Sequence, residues 1–129
     1  MKSLRARRVK IKVGDVWETP PLHVLLTKED EVVVARCLDF TVSSHGANEE
    51  EALNALADAV KEYVVTAIEN DSIETIFHPA NGKYWRMYNE LEAKQSMDHL
   101  KKSLRKPFGS TSAEELSTLS TEITYGYNS

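Results

Sequence analysis

The sequence predicts a mixed α/β (α+β) chain: a small antiparallel sheet of three to four strands covered by one long helix, plus a C-terminal helix. Three observations carry this. Residues 9–13 alternate strictly between apolar and polar, the period of a half-buried strand. Two apolar runs, residues 23–27 and 32–38, flank the charged linker Lys28-Glu29-Asp30-Glu31, the arrangement of an antiparallel hairpin. Residues 48–70 then change to a helical period, with a clear start signal at Asn48.

In chain order, Gly14-Asp15 closes the first strand, and Pro20-Pro21 forces an extended approach to the hairpin. Thr41 to Ser44 adds a short further strand before Gly46, a residue expected to use its freedom to take a positive φ. Asn48 caps the helix, Glu51 completes the capping-box spacing, and Glu49, Glu50 and Glu51 favour its positive end. Leu53, Leu56, Val60, Tyr63 and Ala67, joined by Ala52, Ala59, Val64 and Ile68, form the stripe that must lie on the sheet or another helix. Val65 falls instead among the polar residues, which reads as an oligomer contact. Ile73 to Phe77 reads as another strand, closed by His78-Pro79 and the turn-like Asn81-Gly82. Tyr84 to Leu104 reads as a helix ended by Pro107 and Gly109, and Ser112 with Glu115 starts a short one in the Ser/Thr-rich tail. The division expected is residues 1–77 as the α/β domain and 78–129 as a helical extension with a mobile tail.

Composition narrows the function classes. With 129 residues, 41% hydrophobic and 28% charged, the chain fits one ordinary domain. No apolar run approaches the roughly 18–20 residues that cross a bilayer, and the basic N-terminus lacks the apolar segment of a secretory signal. The expectation is a cytoplasmic protein without membrane association. A single cysteine, Cys37, excludes an internal disulfide framework and zinc-ribbon spacing. The net charge of −4 is segregated. Residues 1–14 hold six bases and no acid, Glu29 to Glu74 hold twelve acids against two bases, and Lys83 to Lys106 hold seven bases against three acids. An acidic centre between basic arms suits a basic protein partner, a polyanion at the arms, or simply solvated faces.

One register of residues carries a resemblance. Ala35 and Cys37 near the end of a strand are followed by Asp39, Phe40 and Val42, then by Ser44-x-Gly46, then by Glu50-Glu51-Ala52-Leu53 opening a helix with Ala59 and Tyr63. Over residues 22–70 this resembles the HicB-like antitoxin family. The chain departs from that pattern at Leu38, where the family has Pro, and at Thr41, where it has Gly. The resemblance implies a degraded RNase H-like sheet without metal-binding acids. It also implies a partner, a small basic HicA-type RNA-cleaving toxin, or an orphan of the family lacking one. Many members add a DNA-binding module, but residues after Asn70 show neither a helix-turn-helix nor a ribbon-helix-helix pattern.

Chemistry has little to work with. Cys37 and the histidines at 23, 45, 78 and 99 lack the short spacings of a metal site, and a mid-strand thiol is a poor nucleophile. Glu49, Glu50 and Glu51 are adjacent on a helix and cannot converge on one ion. Asp39 is a lone acid at a strand end, whereas two-metal chemistry needs several. The expectation is therefore a non-enzymatic binding protein without cofactor or metal, self-associating as a dimer or larger. Asp39, Phe40 and His45, which border the strand-to-helix turn, are the expected partner-binding residues. The alternative is a nucleic-acid-binding regulator using Arg5, Arg7 and Arg8 with Lys83 and Arg86, where bases interleave with Tyr84, Trp85 and Tyr88.

Overall fold

A strand buried on both faces organises the molecule. In the computed structural model, which describes residues 1–124 except for the side chains of 106–110, Val24, Leu25, Leu26 and Thr27 are all fully buried. They lie on β4 (Leu22–Glu29), an inner strand of a four-stranded antiparallel sheet. The other strands are β1 (Lys2–Val9), β5 (Val32–Cys37) and β6 (Val42–Gly46), in the order β1-β4-β5-β6. The hairpin between β4 and β5 pairs Glu29 with Val32, and Asp30 takes φ 57° in the turn. Alternate residues then address opposite faces. Val24, Leu26, Ala35 and Cys37 pack with α1 (Glu49–Glu69) through Ala52, Leu56 and Val60. Leu25 packs with Ala6, Leu38 and Tyr88 on the other face.

The N-terminus corrects the expected strand at 9–13. Lys2–Val9 pairs along β4, and the ladder ends at Val9↔Leu22. Ile11 leaves that ladder to exchange hydrogen bonds with Thr19, donating its N–H to Oγ1 and accepting from the Thr19 N–H at 2.9 Å each. Lys12–Val13 (β2) then pairs with Trp17–Glu18 (β3) in a separate two-stranded hairpin. The alternating pattern thus spans two ladders.

Helix α1 forms as its ends dictate. The Asn48 side chain accepts from the Glu51 N–H at 2.9 Å, and three glutamates occupy the first turn. At the other end Asp71, with φ 51°, donates to Ile68 O while the Ser72 N–H donates to Ala67 O, a Schellman arrangement closed by Asp rather than Gly. That turn overrides the strand expected at 73–77: Ile73–Thr75 is a 3₁₀ turn, and the Tyr63 hydroxyl donates to Ile76 O at 2.7 Å.

The turn before β6 and the residue that ends that strand differ from expectation, since the strand runs from Val42 to Gly46 and not from Thr41 to Ser44. Gly46 does not adopt a positive φ; it is required because a Cβ there would stand 2.6 Å from both the Ala52 nitrogen and the Glu51 Cβ. Thr41 is the residue with positive φ, at 56°, held by its hydroxyl donating to His78 O. A β-branched residue thus holds the left-handed region in this turn.

Helix α2 (Gly82–Ser110) begins two residues earlier than expected, where the Asn81 side chain accepts from the Lys83 N–H. It passes three residues beyond Pro107, and nothing described explains that continuation. Its first turns pack Tyr84, Trp85, Met87, Tyr88 and Leu91 on the sheet face opposite α1. The first compact unit therefore extends from Met1 to Glu92, past the division expected after residue 77. A second unit begins at Ala93 and contains α3 (Ala113–Ser117), capped by Ser112 as its spacing suggests.

Two substitutions test this packing. Leu56→Ala, which empties a position 1% exposed beneath the sheet, should cost about 2–5 kcal/mol. Gly46→Ala should cost about 1–3 kcal/mol, because backbone rather than a flexible side chain blocks the new methyl. Denaturant midpoints matching the unsubstituted protein would contradict the assigned core.

Candidate protein-binding groove

The residues singled out in the sequence divide among three places. Asp39 is buried and makes a clasp at the start of β4. Its Oδ1 accepts from the His23 N–H at 2.7 Å, and its Oδ2 lies 3.0 Å from His23 Nδ1. The His23 ring meets Trp85 and Tyr88 at centroid distances of 5.1 and 5.4 Å, so the clasp ties β4 and the chain after β5 to α2. Cys37 adds a weak donor to the same carboxylate, Sγ to Oδ1 at 3.8 Å. Cysteine, histidine and aspartate are thus neighbours, but the thiol reaches the acid and not the imidazole. A nucleophile needs the base beside it. Burial pushes the Cys37 thiol up to about 11, the nearby Asp39 carboxylate adds to the shift, and the group stays protonated near neutral pH. Among the described residues no group of three or more His, Cys, Asp and Glu is placed to hold a metal ion.

The basic residues are separated by the pleat of β1. Arg5 and Arg7 share the face of Leu26 and Val24, and Arg5 pairs with Glu49 of α1 at 3.1 Å. Arg8 projects on the other face and pairs with Glu92 at 2.7 Å. Lys83 lies over the Tyr84 ring, and Arg86 is exposed near the start of α2. Arg5 and Arg8 each meet a carboxylate, and the five residues do not share one face.

Phe40 and Val65 do come together. The outer face of α1 contributes Lys61, Val64, Val65 and Ile68 to a groove of about 470 Å³, so Ile68, expected on the sheet-facing stripe, is exposed there instead, and Val64, half-buried, serves both the core and the groove. Phe40 stands in it beside the Tyr63 ring (centroids 5.8 Å apart), the β2–β3 hairpin adds Val16 and Trp17, and the 3₁₀ turn adds Ile73 and Ile76. The lining is almost wholly apolar, and several members face solvent: Val16 is 91% exposed, Ile68 57% and Val65 43%. Such a contiguous exposed patch marks an interaction surface more than a scatter of single apolar residues does. Asp58, Glu62 and Glu69 follow the helical period along the flank of α1 beside Val65, and all three are exposed.

Asp39, Phe40 and His45 therefore do not form a single site. Phe40 lines the groove, Asp39 is occupied by the His23 clasp, and His45 is exposed on the edge strand β6 opposite Val34. The hairpin and the 3₁₀ turn carried a signal in the sequence, the apolar pairs Val16-Trp17 and Ile73/Ile76, but only the fold brings them to Val65. Among the described residues no helix is long and apolar enough to cross a membrane.

The buried thiol sets a pH expectation. Cys37 ordinarily ionises near 9.0 and in the fold near 11, and Tyr88 moves in the same direction, from 10.0 to about 12, as burial disfavours its anion. Both groups favour the fold while protonated, so stability is whole below 9.0 and falls as pH rises toward 11 and above. Denaturant midpoints should decline over that range, less steeply in Cys37→Ala. Alkylation at about pH 8 should be slow until the chain unfolds. Prompt alkylation of the native protein would contradict the buried thiol.

No protein-family model matches the chain, and comparison with curated proteins and with solved structures yields no significant match.

Proposed function

We propose that this chain is a non-enzymatic, HicB-like binding protein that docks a basic protein partner on the groove beside α1. The observation that supports this best is the groove itself: an apolar strip along Val64, Val65 and Ile68, with three acids on one flank against the single base Lys61 at the strip. Apolar contacts there would set the lifetime of a complex, and Asp58, Glu62 and Glu69 would speed the encounter with a positively charged partner. The resemblance over residues 22–70 points to the same chemistry, since the toxin of such a pair is small and basic, and the chain would act as its antitoxin. The nucleic-acid reading has less support, because Arg5 and Arg8 already meet Glu49 and Glu92.

Co-expression with a small basic protein encoded next to this chain tests the proposal. The expected result is co-purification and relief of growth arrest. Val65→Lys should abolish both while leaving the fold intact, since Val65 is 43% exposed. Phe40→Ala should shorten the lifetime of the complex, with some loss of stability because the ring also meets Tyr63 and Phe77. If the basic protein neither co-purifies nor is neutralised, the antitoxin reading fails.

A further inference from the structure

The chain carries, besides the groove, a segment with the complementary chemistry. Along the Ala93–Arg105 stretch of α2, Met97, Leu100 and Leu104 follow the helical period and are 54%, 53% and 48% exposed. One flank of that apolar stripe carries three bases, Lys94, Lys101 and Arg105, with a single acid, Asp98, among them, while Ser96 and Ser103 lie on the other. The groove helix has an acidic flank on the corresponding side of its own apolar strip, with Asp58, Glu62 and Glu69. The spacings also match. The acids are separated by four and then seven residues, and the bases by seven and then four. When two helices pack antiparallel, flanks of the same hand face each other. The order then brings Asp58 toward Arg105, Glu62 toward Lys101 and Glu69 toward Lys94.

We propose that, in the absence of another partner, the groove is occupied by the Ala93–Arg105 helix of a second copy of this chain, packed antiparallel to α1. This rests on reading the groove as a docking surface, and it adds a regulatory consequence. A basic partner must displace the chain's own basic helix, so self-association and partner binding compete for one site. Recognition of an amphipathic helix by an apolar groove supplies the binding mode, and the matched flanks supply its direction.

Sedimentation of the full chain over a dilution series, at low and high salt, tests this. The unsubstituted protein should associate into a complex of two or more copies, more weakly as salt screens the exposed pairs. Glu62→Lys alone and Lys101→Glu alone should each weaken association by about tenfold or more, since attraction becomes repulsion at one position. Mixing the two variants should restore association, because the reversed groove of one copy then meets the reversed helix of the other. A monomer at every concentration overturns the proposal, as does association that neither reversal weakens or that mixing does not rescue. A monomer that still captures a basic partner leaves the docking reading in place while this inference fails. Rescue on mixing without capture of any basic partner does the reverse.

Discussion

Burial of β4 on both faces is the constraint from which the remaining architecture follows. Val24 and Leu26 need a cover on one side and Leu25 on the other, so the sheet must be sandwiched. Helix α1 supplies the first cover through Ala52, Leu56 and Val60, and the opening turns of α2 supply the second through Tyr88 and its neighbours. The Asp39–His23 clasp fastens the second cover, since it orients the ring that Trp85 and Tyr88 pack against. With the inner stripe of α1 committed to the sheet, its outer residues Val65 and Ile68 have no sheet to cover. The β2–β3 hairpin and the 3₁₀ turn flank them without closing over them, and the groove results.

The same constraint directs the polar groups toward structure. An acid at a strand end, a histidine beside it and a cysteine two residues before it look like a reactive set when read as types. Their geometry is that of a scaffold: the carboxylate accepts from a backbone N–H, lies beside the imidazole and receives the thiol. A cysteine whose ionisation is raised by burial holds its proton near neutral pH. Beside this scaffold the described surface presents an apolar groove and exposed charge, the ingredients from which interfaces are built.

What was legible in the sequence was local. Asn48, the glutamate run and the stripe from Leu53 to Ala67 act within a few turns, and the helix they predict runs from Glu49 to Glu69. The β4–β5 hairpin was legible for the same reason. Legibility ended where one residue answers to distant ones. Ile11 looks like the centre of a strand until Thr19 draws off its hydrogen bonds. Ile73 to Phe77 looks extended until Asp71 closes the helix end with a positive φ. Gly46 reads as a conformational need when the need is space, set by a helix backbone that only the fold brings near. Of the groove, Val65 is visible as an apolar residue on a polar face and Phe40 as an expected partner-binding residue. Trp17, Ile73 and Ile76 are not, because they belong to the site only through the turns that carry them there.

Binding in the groove beside α1 would be reported directly by Trp17. The side chain is 41% exposed at the groove, whereas the only other tryptophan, Trp85, packs against His23 on the opposite sheet face. In a Trp85→Phe chain the emission of Trp17 can be followed alone during dilution and during titration with a small basic partner. Occupation of the groove should shift the emission to shorter wavelength and protect the indole from a soluble quencher, with Val65→Lys removing both effects. A Trp17 emission that stays solvent-exposed at every concentration, and that a bound partner leaves unchanged, would contradict binding in the groove.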